Sequence, residues 1–565
     1  MSAIFVSGPP GLPKRLPGLA LGALALLLFL AGCTQGPGPG ARSEYDALVD
    51  DLKAGAPRWE ELDPTFLGSA DRNERLSRRP ALRGRVLRSG AEGERSRLKA
   101  ALERLELYYG DIDAHAQAFR AALSLDASES AAHHRSALRA LEARIAASGE
   151  GTPEAPYAVL TAQDAFDWLR QRKIATVGAL YQGDDEAGTL QLLIRVQEAQ
   201  GEGLKNWIFD LTPTFTAGAQ WAQAMGADSK PSAYIATRAQ QGDPAAQTAY
   251  ALRLWREGSG LGPETVSWLQ SASEAGNLVA RELLGTVYLA LAARREGEEQ
   301  GRFLDAAVDQ LLLAVAQGSA EAMVNLAKLY LSGHFGEENR SAGVALLRQA
   351  IARDNLDAEV LLARLEYNGQ LVAKAEAQAI ARLHRAADAG HREAQLFSVR
   401  EKLSTEQALD DRAQGWLTAA ADSGVADAML LLGSLYADGV HFPQDDELAK
   451  RWLSAAGLSS GEAETINTAA WILAVAERPT LRAPALALRL MDALMSRDEA
   501  AAANPAYLDT WAAAAAATGD FERAVLLQRR AVTAAEALEN PPYLPVLRQH
   551  LEQFEAGEPV FEAVP

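Results

Sequence analysis

One spacing limits what this chain can fold into more than any other feature. Gly242, Gly276, Gly318, Asp354, Gly390 and Gly424 follow one another at intervals of 34, 42, 36, 36 and 34 residues. Four residues after each stands an alanine: Ala246, Ala280, Ala322, Ala358, Ala394 and Ala428. A glycine suits the left-handed residue that ends a helix, and Asp followed by Asn is the nearest substitute at 354. The alanine suits a point where two helices approach closely, since a larger side chain there overpacks by about 1–3 kcal/mol. Each interval holds two short helices. A unit this small cannot bury its apolar face alone, so copies must stack. The clearest copy runs from 424 to 457, with a turn at 437–443 and Trp452, Ala455 and Ala456 in its second helix.

Three stretches carry a recurring pattern in the first helix: Leu432-Gly433-Ser434-Leu435-Tyr436, Leu284-Gly285-Thr286-Val287-Tyr288, and Leu326-Ala327-Lys328-Leu329-Tyr330. The pattern resembles the Sel-one-like repeat (SLR), a relative of the tetratricopeptide repeat (TPR). Residues 395–408 depart from it, with Phe397-Ser398-Val399-Arg400 at the expected Leu-Gly and Tyr positions, and 291–303 is a polar insertion. Residues 462–540 resemble tetratricopeptide repeats proper, with Gly519 at a turn and Ala524 and Ala531 at contact positions. In 541–565, Leu547, Leu551 and Phe554 share one helical face, as in a capping helix followed by a tail. The resemblance implies an all-α fold, an α-solenoid, with Sel-one-like repeats over 236–461 and protein binding without chemistry of its own.

Residues 1–32 read as a lipoprotein signal peptide. Lys14 and Arg15 precede an apolar run from 16 to 31, short for a bilayer span of about 20 residues. The run ends in Leu30-Ala31-Gly32-Cys33, which matches the bacterial lipobox. That match implies cleavage between Gly32 and Cys33 and lipid attachment at Cys33. Thr34, where an Asp would signal retention, implies the outer membrane, facing the periplasm. Cys33 is the only cysteine, so no internal disulfide forms. Residues 33–43 read as a lipidated flexible tether.

Residues 44–235 read as a mainly helical N-terminal region. Helical spacing covers 44–56 and 95–148, and further helices are expected at 161–175 and 186–200. Residues 149–157 read as a loop, and 207–216 as irregular or briefly extended.

No catalytic motif stands out, and the expectation is a protein that is not an enzyme and needs no cofactor. His133-His134 and His384/His391 lack spaced partners for a metal. Asp164 and Asp167 read as a solvated helix face, and Asp445-Asp446-Glu447 as helix-start charges. Trp168, Trp207, Phe209, Phe215 and Trp221 read as core, with sugar stacking as the weaker alternative. The formal charge of −19 argues against nucleic acid as a partner. The expected partners are proteins of an envelope complex, bound in a groove that includes Asn325, Lys328, Glu366 and Ser434. The layout is similar to that of lipoproteins serving alginate secretion, where such repeats assist a polysaccharide pore. The alternative is an enzyme or glycan-binding module within 44–235.

Overall fold

The structure, a computed structural model, describes residues 43–89, 93–197, 203–224, 226–257, 261–405, 407–538 and 543–563. Gly32 and Cys33 lie outside the described residues. Two compact units divide the chain after Gly336. Helix dominates both, with 27 α-helices among the described residues.

The repeats owe their form to the spaced turns. Gly242, Gly276, Gly318, Gly390, Gly424 and Gly519 all have φ between +85° and +92°, and Asp354 takes the same left-handed region at +58°. Each turn residue is followed at once by the N-cap of the next helix. Asp243, Asn277, Ser319, Asn355, His391 and Asp520 all cap with their side chains; Val425 does not. In four of them the capped N–H is that of the spaced alanine itself: Ala246, Ala322, Ala358 and Ala394. Ala280 and Ala428 share that position, and all six alanines are buried. One short stretch thus reverses the chain, satisfies an orphan N–H and sets the helix contact. A cap of this kind contributes about 1 kcal/mol.

In the first unit the hairpins are Pro244–Arg256 with Pro263–Glu274, and Leu278–Ala292 with Gly297–Ala316, followed by Ala320–Leu331. The polar insertion at 291–303 is absorbed by lengthening Gly297–Ala316 to 20 residues. In the second unit each helix packs on the next from Glu338–Ile351 to Leu544–Glu555. Arg392–Ser404 stays helical despite its departures, with Ser398 and Val399 buried in the contact. Leu547 and Phe554 of the last helix are buried, and Leu551 is half-buried.

Among the described residues, the region before the repeats is mainly helical, with one four-stranded sheet. Its strands are β1 (Tyr157–Ala158), β2 (Ala175–Asp184), β3 (Thr189–Gln197) and β4 (Leu204–Asp210), in the order β1-β4-β3-β2. β1 runs parallel to β4, and the other pairings are antiparallel. The helix expected at 186–200 is therefore strand β3. The physical reason is its period: Leu190, Leu192, Ile194 and Val196 are all buried, alternating with half-buried residues. β4 opens the stretch expected to be irregular, and helix Thr212–Ala224 continues it.

Asp164 and Asp167 also depart from expectation. They are 3% and 0% exposed, inside a buried ionic network. Arg79 reaches Asp164 at 2.7 Å and Asp111 at 3.3 Å, and Arg83 grips both oxygens of Asp167. Arg104 holds Asp111 at 2.6 Å and Asp113 at 2.7 Å. Burial works against the Asp111 charge, but Arg79 and Arg104 outweigh it and lower its pKa. Helix Arg72–Ser89 is strongly polar and carries Pro80, and Arg79 and Arg83 tie it to helix Ala162–Gln171 and to Asp111, the cap of helix Ile112–Ser124. Removing one partner of such a pair costs about 3–5 kcal/mol.

Replacing Ala428 by Trp should lower stability by about 1–3 kcal/mol in thermal or denaturant unfolding. The exposed Asp422→Ala should stay within about 0.5 kcal/mol. Equal effects would remove the close helix contact at 428.

Candidate functional site

Asn325 is half-buried and Lys328 exposed on helix Ala320–Leu331 of the first unit. Glu366 and Ser434 lie in the second unit, on Leu356–Asn368 and Ala426–Asp438. Glu366 faces its own hairpin: its side chain is 14% exposed and lies 3.4 Å from Arg382. The Ser434 hydroxyl donates to Leu430 O in its own helix. Both are engaged within the repeat that carries them.

The turn edge of the repeats shows a different kind of contact. In the first unit strand β2 lies across three successive turns. Asn277, the cap after Gly276, clamps one strand residue from both sides. Its Oδ1 accepts from Ala179 N at 3.1 Å, and its Nδ2 donates to Ala179 O at 2.8 Å. The same Oδ1 caps Val279 N, so cap and clamp are one side chain. Two strand residues further on, Tyr181 donates its hydroxyl to Asp243 Oδ2 at 3.3 Å. Two residues in the other direction, Gln317 donates to Val177 O at 3.5 Å and to Gly276 O at 3.0 Å.

The strand thus advances two residues for each repeat, and Tyr181, Ala179 and Val177 meet the turns of Gly242, Gly276 and Gly318. β2 is an edge strand, and Asn277 and Gln317 bond its backbone where a neighbouring strand is missing. Gly178 allows the approach, since a Cβ there would meet Asn277 Oδ1 at 2.9 Å and Leu278 N at 3.1 Å. A notch of about 470 Å³ remains where the strand crosses the turns, lined by Val177, Gly178, Arg238, Gly242 and Asn277. The sheet adds a charge contact. Arg195 of β3 lies 2.7 Å from Glu282 and 3.9 Å from Glu321, and Ser319 donates to Glu282. Burial raises the Glu282 pKa, against the pull of Arg195 and Ser319.

The polar caps after every turn but that of Gly424 were present in the sequence, but the spacing of glycine and alanine does not single them out. Their second use, binding a strand, leaves no local signal.

The other candidates are structural. His115, His133 and His134 come together with Tyr109: His115 Nδ1 lies 3.0 Å from His134 Nδ1, and Tyr109 Oη lies 2.7 Å from His133 Nε2. His115 Nε2 faces Tyr109 O at 2.8 Å. A carbonyl only accepts, so His115 carries its proton on Nε2 and takes one from His134. Burial, with His134 close by, lowers the His115 pKa to about 3; burial and His133 lower that of His134 to about 4. His391 is a cap whose Nε2 donates to Asp357 at 2.8 Å, while His384 packs on Trp416. Among the described residues no group of three or more His, Cys, Asp or Glu is arranged to hold a metal. Asp445 caps Asp446–Ser459, and Asp446 pairs with Arg478 at 2.8 Å.

Trp168 and Phe209 are fully buried in the core, with Trp207 and Phe215 partly buried against that core. The Trp221 side chain lies outside the described atoms. Trp59, Asp63 and Arg144 line a cleft of about 790 Å³ in the first unit. Asp63 is tied there to Arg144 at 2.7 Å and to the Tyr108 hydroxyl. Among the described residues no helix is long and apolar enough to cross a membrane.

Residues 320–355, 356–391 and 426–459 match the Sel1 repeat family, so the chain carries Sel1 repeats. Sel1 repeats are protein–protein interaction modules. No curated protein matches the chain. Among solved structures, a Sel1 repeat protein from Oxalobacter formigenes is 25% identical over 38% of this chain and 86% of its own, with a TM-score of 0.32. A protective antigen of uropathogenic Escherichia coli with an SLR fold is 19% identical over 82% of this chain and 83% of its own, with a TM-score of 0.37. A Sel1 repeat protein from Klebsiella pneumoniae is 18% identical over 42% and 96%, with a TM-score of 0.23.

The histidine cluster sets a pH dependence with a definite sign. Below the ordinary histidine pKa of 6.5 the unfolded chain takes up protons that folded His115 and His134 refuse. Stability should therefore fall as pH drops from 6.5 towards 4, by up to about 1.4 kcal/mol per pH unit for each. His134→Gln keeps a donor for His115 and removes one titrating group, so the slope measured by denaturation at several pH values should become shallower. An unchanged slope would contradict the assignment.

Proposed function

We propose that this chain is a non-catalytic scaffold that binds proteins, held at a membrane of the bacterial envelope by lipid on Cys33. The observation that carries the reading is the run of left-handed turns within each unit, nearly all of them capped, which stacks successive hairpins into a repeat surface. Such a surface offers area and repeated polar groups in place of a single enclosed site. The buried titratable groups of 44–235 support the reading from the other side. Asp164, Asp167 and Asp111 are engaged by arginines, and His115 and His134 by each other.

Leu30-Ala31-Gly32-Cys33 supports the anchor, with cleavage after Gly32 and acylation of Cys33. Several acyl chains, each adding about 0.8 kcal/mol per buried CH₂, make such an anchor effectively permanent. Thr34 favours the outer membrane, and residues 33–43 then serve as the tether to the first helix, Glu44–Lys53. The protein faces the periplasm and joins partners of an envelope assembly, an exopolysaccharide or other secretion complex being the class its layout resembles.

Cys33→Ser should abolish palmitate labelling and move the protein from the membrane to the soluble fraction. Unchanged membrane fractionation of that variant would remove the anchor from the account.

A further inference from the structure

We infer that the second unit carries a docking groove for an extended segment of a partner protein, one with a branched apolar residue two places before a carboxylate. The chain's own residues 559–562 lie in that groove and show what fits it. The inference rests on the scaffold reading and gives it a surface and a partner chemistry.

The groove starts from a helix end. Helix Ala463–Val475 finishes with carbonyls that have no partner within the helix. Leu473 O accepts from Ala483 N at 2.8 Å. Val475 O accepts from Glu562 N at 2.8 Å, and Glu562 O accepts from Glu477 N at 2.9 Å, so Ala476 and Glu562 form a parallel bridge. Side chains complete the fit in the alternation of a strand. Val560 is 5% exposed and joins the core that holds Ala476, Leu481 and Phe554. Phe561 is half exposed, with the Arg482 guanidinium 4.4 Å from its ring. The Glu562 carboxylate accepts from Trp471 Nε1 at 3.2 Å.

The segment sits there as a ligand does. The helix that carries it, Leu544–Glu555, is closed before the segment begins: Ala556 N bonds Glu552 O, Gly557 N bonds Phe554 O, and Glu558 N bonds Gln553 O, with Gly557 at φ +74°. Leaving the groove therefore costs that helix nothing. The pairing cannot grow past one bridge, because the next donor on the receiving side would be Pro479, which has no N–H. One buried valine and a single bridge must offset the ordering of the whole segment, so it is held lightly. A partner segment of the same chemistry makes the same contacts. A partner already bound elsewhere on the repeat surface presents its segment at high effective concentration, as the chain does its own. Backbone pairing accepts any extended segment, and the side chains select. An indole N–H only donates, so a lysine in the place of Glu562 leaves Trp471 unmatched.

The test uses the full chain and a defined probe, the fluorescein-labelled, amidated peptide Glu-Pro-Val-Phe-Glu-Ala, read by anisotropy. Val560→Asp evicts the resident segment, and that variant should bind the probe about tenfold or more tightly than the parent does. A probe with Lys in place of its second Glu should not bind. Adding Trp471→Phe to Val560→Asp should weaken probe binding several-fold. Equal probe binding by the parent and Val560→Asp would overturn the groove. Loss of helical circular dichroism in Val560→Asp would make the segment part of the core and overturn it too. Hydrogen exchange on the unaltered chain needs no variant: the Glu477 and Glu562 amides should exchange about a hundredfold faster than amides inside helices Ala463–Val475 and Leu544–Glu555. Equal protection would overturn the groove. A dimer of the parent that vanishes in Val560→Asp would assign the groove to a second copy and overturn the partner. Native partner capture no stronger with Val560→Asp than with the parent would overturn the groove while leaving the scaffold standing. A chain that holds no protein at all would overturn the scaffold, and this inference with it.

Discussion

The structure depends on one local arrangement, a left-handed residue followed at once by a helix cap. The left-handed turn ends one helix, the cap side chain takes an N–H of the next, and the alanine at that position sits at the helix contact. Losing the cap costs about 1 kcal/mol and overpacking the alanine about 1–3 kcal/mol. These are modest amounts taken singly. Repeated along the chain, they decide whether each hairpin has a neighbour to bury its apolar face.

The turn residue and the alanine of that arrangement were legible in the sequence because they are local and recur. Gly276 and Ala280, or Gly390 and Ala394, each fit within five residues and are found by spacing, whereas the caps between them, Asn277 and His391, are of different types and were not. The helical reading of 44–56 and 95–148 rests on similar grounds, and helices occupy most of both stretches. The sheet was harder to read. Strand β3 carries Leu190, Leu192, Ile194 and Val196 at a period of two, yet its leucines also satisfy a short helical window. Only pairing with β2 and β4, set by residues far away in the chain, decides between the two.

The ionic interior of the first unit was illegible for a related reason. Asp164 and Asp167 stand three apart on a helix, which describes a solvated face as well as a buried one. What buries them is helix Arg72–Ser89, some 80 residues earlier, whose Arg79 and Arg83 reach across. Glu366 gives the same lesson in the repeats. It occupies a polar position on a first helix, but Arg382 on the second helix draws it in. Side-chain partners across a hairpin are set by packing, and a surface chosen by polarity alone includes residues already engaged. Asn277 escapes this limit, because its capping of Val279 N is fixed by the turn and its amide also reaches Ala179.

The central claim is that cap side chains of the repeats serve as strand-binding groups. The Ala179 amide tests it most directly. It lies on the outer edge of edge strand β2, and Asn277 Oδ1 is the acceptor that faces it. Hydrogen exchange should show this amide protected to the level of amides inside the β2–β3 ladder, and Asn277→Ala should abolish that protection while the ladder amides of β3 keep theirs. Rapid exchange at Ala179 in the unaltered chain would contradict the account.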